Sequence, residues 1–255
     1  MGVVNVTPDS FSDGGAYLRP EDALRHADQL IADGADMLDL GGESTRPGHR
    51  PVSAEEEWRR LEPVLKALRR RWDGPISVDT YKGEIARRAV EEGADVINDI
   101  WGGQKDPTLW EVLAGCRVGY VLMYNRSPEF PPGAVDLGEI KASLVQALGA
   151  LSALGIAGQR VLVDPGLGFA YGVEDNWTVL RALGEFSGLG AGLLLGPSRK
   201  RFLGAVTGRP PEERDVATAA VAALAVPYQI DVVRVHNVAA AKDALAVADR
   251  WWRRG

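Results

Sequence analysis

The sequence predicts an α/β protein whose parallel strands close into a single eight-fold (β/α)8 barrel. Three observations predict it. The chain has 255 residues, the typical length of one such barrel. Short apolar runs alternate with longer amphipathic stretches from end to end. The apolar runs are nearly continuous, as strands buried on both faces require. Eight strand and helix units over 255 residues give roughly 32 residues each, and a βαβ unit needs about 30.

In order, the predicted elements are strand Gly2–Val6 and helix Pro20–Asp33, then strand Met37–Leu40 and helix Ser53–Arg71. The second helix opens on Ser53-x-x-Glu56, a capping-box pattern. Strand Ile76–Val78 precedes helix Gly83–Glu92, and strand Val96–Asp99 precedes helix Pro107–Ala114. Strand Tyr120–Met123 leads to helix Leu137–Leu154, and strand Val161–Asp164 to helix Asp175–Leu183. The last units are strand Gly192–Leu195 with helix Arg214–Ala225 and strand Val232–Val235 with helix Ala239–Trp252. Two units share a signature, DGADMLDL at Asp33–Leu40 and EGADVIND at Glu92–Asp99, each ending a helix on Gly before a strand. A doubly wound open sheet is the rival fold. No Gly-x-Gly-x-x-Gly follows the first strand, and eight regular units close more naturally into a TIM-type barrel. No linker interrupts residues 1–255, so one domain is expected.

Composition excludes several classes of function. Lys and Arg number 29 against 35 Asp and Glu, a formal charge of −6, which argues against general affinity for nucleic acid or anionic membranes. Hydrophobic residues at 45% and charged residues at 25% are globular values that exclude a disordered chain. Cys116 is the only cysteine, so neither an intrachain disulfide nor a Cys-based metal cluster can form, and a cytoplasmic protein follows most simply. No apolar run approaches the length of a membrane span. The opening MGVVNVTPDS lacks the features of a signal peptide.

Barrel enzymes place their chemistry at the C-terminal ends of the strands. There the sequence delivers Asn5 and TPDSFSDGG; Asp39 and GGESTRPG; Asp79 and Thr80; Asn98 and Asp99; Met123 and Tyr124; Asp164 and PGLGF; GPSRK; and finally Arg234 and His236. Polar groups are costly in an apolar barrel unless something pairs with them. Asp79, Asn98 and Asp164, with Lys200 as donor, suit a planar heterocycle such as a 2-amino-4-oxopyrimidine edge. Arg46, Arg234 and His236, with Thr45 and Asn5 as neutral partners, form a cationic set suited to phosphate oxygens. Gly196-Pro197-Ser198 is expected to lead into a helix N-terminus able to hold a carboxylate or phosphate.

Plainer roles stand beside these. Asp79 could be the N-cap of the following helix, and His236 a satisfied core histidine. Cys116 reads as a small buried hydrophobe, and Trp101 as a neighbour of the site. The run Arg69–Arg71 reads as a solvent-facing helix end and Glu55–Glu57 as the acidic first turn of the same helix, both suited to the dipole.

The segments NVTPDSFSDGG, GADMLDLGGESTRPG, SVDT, VINDI, DPGLGF, GPSRK and RVH, in this order from Asn5 to His236, resemble the dihydropteroate synthase family. The resemblance implies a (β/α)8 barrel that joins 6-hydroxymethyl-7,8-dihydropterin pyrophosphate to p-aminobenzoate, giving 7,8-dihydropteroate and pyrophosphate in folate biosynthesis. Carried over, Asp79, Asn98, Asp164 and Lys200 correspond to the pterin clamp. Asn5 corresponds to the Mg²⁺–pyrophosphate site, with Asp9 joining the metal, and Thr45, Arg46, Arg234 and His236 to the pyrophosphate residues. Ser198, Thr45, Pro47 and Phe169 correspond to the p-aminobenzoate pocket. The implied mechanism is an SN1-like displacement with no side-chain nucleophile. Family members are often homodimers, and the C-terminal helix faces around Trp251 and Trp252 are candidate contacts.

Three positions depart from the family pattern. Tyr124 replaces a His after strand 5, Ala170-Tyr171 removes a Lys after DPGLGF, and Asn237 replaces an acid after RVH. The chain also opens directly on strand 1, where the family usually carries a segment closing the barrel bottom. Two other readings share the Asp and Asn clamp: a methyltetrahydrofolate-dependent methyltransferase, and a pterin-binding paralogue without turnover.

Overall fold

A computed structural model describes residues 1–7, 19–44, 50–125, 135–169 and 171–252. The predicted alternation is present. The strands are β1 (Gly2–Asn5), β2 (Leu38–Gly41), β3 (Ile76–Asp79), β4 (Val96–Asp99), β5 (Gly119–Met123), β6 (Val161–Asp164), β7 (Gly192–Leu195) and β8 (Val232–Val233). The helices are α1 (Pro20–Ala32), α2 (Ala54–Arg69), α3 (Gly83–Glu91), α4 (Thr108–Ala114), α5 (Leu137–Ala153), α6 (Val173–Arg181), α7 (Arg201–Thr207), α8 (Asp215–Ala225) and α9 (Val238–Trp252).

Each strand pairs in parallel with its successor, in the order β1 to β8. The ring closes where Gly2 bridges Val235. The Val3 amide donates to the Val235 carbonyl at 3.0 Å, and the Val235 amide to Met1 at 2.9 Å. Sequential order with a closed seam identifies a barrel rather than the rival open sheet.

Local chemistry explains the helix starts. Ser53 Oγ accepts the Glu56 amide at 3.2 Å, half of the expected capping box. Glu56 itself turns to Arg59 and Arg60 instead. The Asp136 carboxylate caps α5 through the Gly138 and Glu139 amides. Asp106 accepts the amides of Gly83 and Thr108, tying the starts of α3 and α4 together.

Helix α7 is absent from the sequence-derived elements. It has seven residues, with Gly204 inside it and a left-handed Gly208 ending it, too short for a clear periodic signal. It begins at Arg201, with Lys200 at the N-cap. Gly196-Pro197-Ser198 therefore lies ahead of the helix and does not form its N-terminal turn.

Alternate residues of a strand share a face. Val4, Leu40, Val78, Ile97 and Leu195 meet the inner faces of the helices, including Leu61, Leu65 and Ile85. The other face lines the barrel. Towards the N-terminal ends of the strands it packs Met1, Val121 and Leu194 with Met37, Val96, Leu162 and Val232.

One member of each charged run differs from expectation, while Arg70, Arg71 and Glu55 are exposed as expected. Arg69 does not face solvent: its guanidinium donates to the carbonyls of Trp72, Gly74 and Gly93 and pairs with Asp95 at 2.8 Å. The Trp72 and Gly74 carbonyls follow α2 and the Gly93 carbonyl follows α3, so the cation locks the ends of two helices together. Glu57 is 1% exposed and pairs with Lys82 at 2.5 Å, which makes it a buried anchor. Among the described residues, no helix is long and apolar enough to cross a membrane.

Candidate active site

On five of the strands the inner face of the barrel turns polar two residues further along. Asp39 follows Met37, Asp79 follows Ser77, Asn98 follows Val96, Asp164 follows Leu162 and Arg234 follows Val232. Asp39, Asp79, Asn98 and Asp164 are all buried. The guanidinium of Arg234 sits among them. Its Nε donates to Asp39 Oδ2 at 2.6 Å and its Nη2 to Asp79 Oδ2 at 2.9 Å. Asn98 Nδ2 donates to the same Asp39 oxygen at 3.1 Å. The acids of β2 and β3 thus hold the cation of β8, and Asp79 is no helix cap: Lys82 occupies the N-cap of α3.

Lys200 and Asp164 form the other side. Arg199 adopts a left-handed φ of 58°, a conformation that costs energy in a side chain of this size. Its guanidinium is clamped by Asp215 at 2.7 and 2.8 Å, and its amide by Thr218. The turn sends Arg199 toward α8 and leaves Lys200 half-buried, with Nζ 3.9 Å from the centroid of the Phe169 ring, a cation–π distance. Gly168 makes room for it: at φ +77°, a Cβ there would lie 2.5 Å from Lys200 Cδ. Gly166 donates its amide to Asp164 Oδ1 at 2.7 Å, which aims that carboxylate.

Burial dominates the electrostatics. It pushes the Asp79 carboxyl up to about 7 against the pull of Arg234, with Asp39 reinforcing the rise. It raises Asp164 to about 6, although the Gly166 amide, Lys200 and Arg234 oppose it. It lowers Lys200 to about 8, with Asp164 opposing and Arg234 assisting. Such groups exchange protons near neutrality and are ready to pair with a polar ligand.

Ser198 and His236 lie together. Ser198 Oγ is 2.8 Å from His236 Nδ1 and accepts the His236 amide at 3.1 Å. His236 is half-buried and hydrogen-bonded. Asn5 ends β1 half-buried, with its carboxamide oxygen facing the bare Cα of Gly41 (a Cβ there would be 3.8 Å away). Asp9, Thr45, Arg46 and Pro47 lie outside the described residues.

Sequence reasoning listed Asp39 at a strand end and assigned it nothing. It is the shared acceptor of Arg234 and Asn98, and its other oxygen, Oδ1, is buried with no hydrogen-bond partner in the structure. Its position two residues after Met37 was the available signal. Asp99, next to Asn98 at the end of β4, faces the helices instead. It accepts the Trp101 and Gly103 amides and the Tyr120 hydroxyl, organising the turn after β4, while Trp101 lies under Lys105. Tyr124 shares that outer face. Its hydroxyl donates to Glu139 at 2.9 Å, and its ring stacks on Tyr171 at 6.3 Å. Tyr171 in turn donates to the Pro165 carbonyl. Two departures from the family pattern therefore meet each other outside the ring of acids. The third, Asn237, accepts the Ala240 amide and donates to Asp215, an acid already paired with Arg199.

The model of the pterin-binding enzyme family matches residues 1–236. A dihydropteroate synthase of Bacillus subtilis is 46% identical over 238 residues, covering 93% of this chain and 83% of the relative. One from Mycobacterium leprae is 41% identical and covers 100% and 94%. Among solved structures, a Xanthomonas albilineans dihydropteroate synthase with 4-aminobenzoic acid superposes with a TM-score of 0.93 at 42% identity, covering 100% and 93%. A Burkholderia cenocepacia dihydropteroate synthase complexed with 7,8-dihydropteroate superposes with a TM-score of 0.88 at 40% identity, covering 98% and 90%. With the barrel, the strand-end acids and these likenesses together, the chain belongs to the pterin-binding enzyme family, among its dihydropteroate synthases.

Proposed function

We infer that the chain condenses 6-hydroxymethyl-7,8-dihydropterin pyrophosphate with p-aminobenzoate to give 7,8-dihydropteroate and pyrophosphate, a step of folate synthesis. The observation that carries the reading is the cluster of buried Asp79, Asn98 and Asp164 with half-buried Lys200 at the barrel mouth. Relatives with 4-aminobenzoic acid and 7,8-dihydropteroate support the same substrates. The carboxylates of Asp79 and Asp164 accept the N–H groups of the pterin edge, Asn98 adds an amide, and Lys200 donates to the ring. Charge-assisted bonds in a dry site fix the heterocycle in one orientation.

The leaving diphosphate meets Arg46, Thr45 and Asn5, with Arg234 and His236 on the β8 side. As the exocyclic C–O bond breaks, its electron pair departs with the diphosphate and the ring delocalises the cation. The p-aminobenzoate amine then attacks the methylene and loses a proton. Ser198, Phe169, Pro47 and Thr45 position that second substrate. Electrostatic stabilisation of the departing anion carries the catalysis.

Mg²⁺ is part of the proposal. Such an ion takes one or two protein oxygens and completes its shell with water and phosphate oxygens. The Asn5 carboxamide, placed beside the bare Gly41, suits that donor set, and Asp9 would join it. Bound there, the ion would neutralise diphosphate charge.

We further propose a homodimer, working in the cytoplasm without nucleic-acid or membrane partners. Helices α8 and α9 expose a continuous apolar surface, with Leu224 at 67%, Val247 at 73% and Trp251 at 75% exposure. A patch of this kind marks an association surface, and a second copy would bury it. Sedimentation that gives a monomer for both the native chain and Trp251→Glu would remove this part.

The activity test measures pyrophosphate release from the pterin pyrophosphate, with and without p-aminobenzoate and with and without Mg²⁺. Release that depends on both is expected. Pterin binding without such release would assign the chain to the non-catalytic reading instead.

A further inference from the structure

Outside the ring of acids, one buried charged cluster has no part in the chemistry above. Lys82, following β3, has three ammonium protons and three acceptors. Its Nζ donates to Glu43 Oε2 at 2.6 Å, to the Val52 carbonyl at 2.8 Å and to Glu57 Oε2 at 2.5 Å. Glu43 Oε2 also accepts the Val52 amide at 3.1 Å. Both backbone polar groups of Val52 are thereby captured. Side-chain exposure is 14% for Lys82, 8% for Glu43 and 1% for Glu57. Nearby, Arg60 Nη1 donates to the Gly42 carbonyl at 2.9 Å, and the Tyr81 hydroxyl lies 3.5 Å from Glu43 Oε1.

The placement is what matters. Glu43 stands just before the connection of residues 44–51 and Val52 just after it. Glu57 belongs to α2, so the cluster is referred to a rigid helix. Burial alone would lower the proton affinity of Lys82, but Glu43 and Glu57 more than offset it and hold the ammonium above its ordinary value. Replacing a buried ionic cluster by apolar residues of similar volume is often neutral or stabilising. Its physical use is then geometric: it sets the separation and direction of two chain ends.

We propose that Lys82 is a positioning residue, which, by tying Glu43 to Val52, sets where Thr45 and Arg46 meet the diphosphate. The proposal rests on the functional reading above, because it assigns those two residues to the anion. A misplacement of about 1 Å at a reacting group can cost about a hundredfold in rate.

The test compares the native enzyme with Lys82→Met, Lys82→Arg and Glu43→Gln, the last serving if Lys82→Met does not fold. Three readouts are taken: hydrogen exchange of the peptide containing Val52, affinity for the bare pterin, and kcat with the pterin pyrophosphate. Lys82→Met is expected to speed exchange at Val52 and to lower kcat by about tenfold or more, with bare-pterin affinity within about twofold. Lys82→Arg, which keeps the charge, should recover part of kcat. Faster exchange with unchanged kcat and KM would overturn the positioning role and leave a purely structural clamp. Equal losses in pterin affinity and kcat would overturn it as well. A native enzyme with no p-aminobenzoate-dependent turnover would overturn the functional reading and, with it, the positioning role of Lys82. The exchange result separates that outcome, since it reports on the clamp in the absence of substrates.

Discussion

The lower and upper halves of the barrel interior are built by the same strands, two residues apart, and are opposite in chemistry. Below, Met37, Val96, Leu162, Leu194 and Val232 form an apolar plug. Above, Asp39, Asp79, Asn98 and Asp164 are buried but polar, and hold Arg234 between them. The plug gains free energy from leaving water. The polar half loses hydration and recovers it only in part, as the raised Asp79 and Asp164 and the unpartnered Asp39 oxygen show. One half thus stabilises the barrel while the other holds unmet bonding capacity for a ligand, at a cost in stability.

The sharpest way to break this contrast is Arg234→Met, which leaves Asp39 and Asp79 buried without their shared cation. A loss of about 3–5 kcal/mol is expected at alkaline pH, read by denaturant unfolding and partly recovered at and below neutral pH, where Asp79, freed of the downward pull of Arg234, holds a proton. An unchanged midpoint at both pH values would mean that Arg234 does not neutralise the acids.

Leu194→Ala tests the plug. Removing a fully buried leucine should cost about 2–5 kcal/mol of stability while leaving bare-pterin affinity at moderate temperature nearly intact. A pterin-specific loss with normal stability would show that the two halves are not separable.

Asp164→Asn inverts that pattern. Pterin binding should weaken by about 1–3 kcal/mol, because a charged acceptor becomes a neutral one. The unliganded protein should melt no lower than the native chain, since Asn can still accept the Gly166 amide without burying a charge. Calorimetry and thermal unfolding together decide it: a lower melting point would make Asp164 a structural residue first.

The smallest effect is the pH dependence. Asp164 rises from an ordinary 3.8 to about 6 on folding. Between those values the native state holds a proton that the unfolded chain has released, so this group's cost to stability appears as pH increases through the window. Pterin affinity moves the other way, falling as pH drops through about 6 and the acceptor is protonated. Opposite slopes for stability and affinity are expected, and Asp164→Asn should flatten the contribution of this group to both. Parallel slopes would contradict the contrast.

Much of this was legible in the residues. Strand-to-helix alternation, the Ser53 cap and the polar strand ends all rest on local rules: burial on both faces, hydrogen bonding within a turn, and a period of two along a strand. That period places Asp79, Asn98 and Asp164 on the face of Ser77, Val96 and Leu162 before any coordinates are known. It also sends Asp99 and Tyr124 outward, which the sequence reading did not use. Arg69 and Glu57 were misjudged because a charged helix end looks the same whether its partner is solvent or another element.

The sequence by itself determined the order of the elements, the face of each strand and the residue types at the barrel mouth, because these follow from interactions over a few neighbouring positions. Tertiary structure alone decided the partners. Arg234 meets Asp39 across 195 positions, Ser198 meets His236 across 38, and Lys82 reaches Glu43 and Val52 from the next strand's loop. Barrel closure sets those pairings, since it brings the first and last strands side by side and points their alternate side chains at a common axis. No local pattern encodes which acid a distant cation finds there. Geometry and the cost of burying an unpaired charge select it.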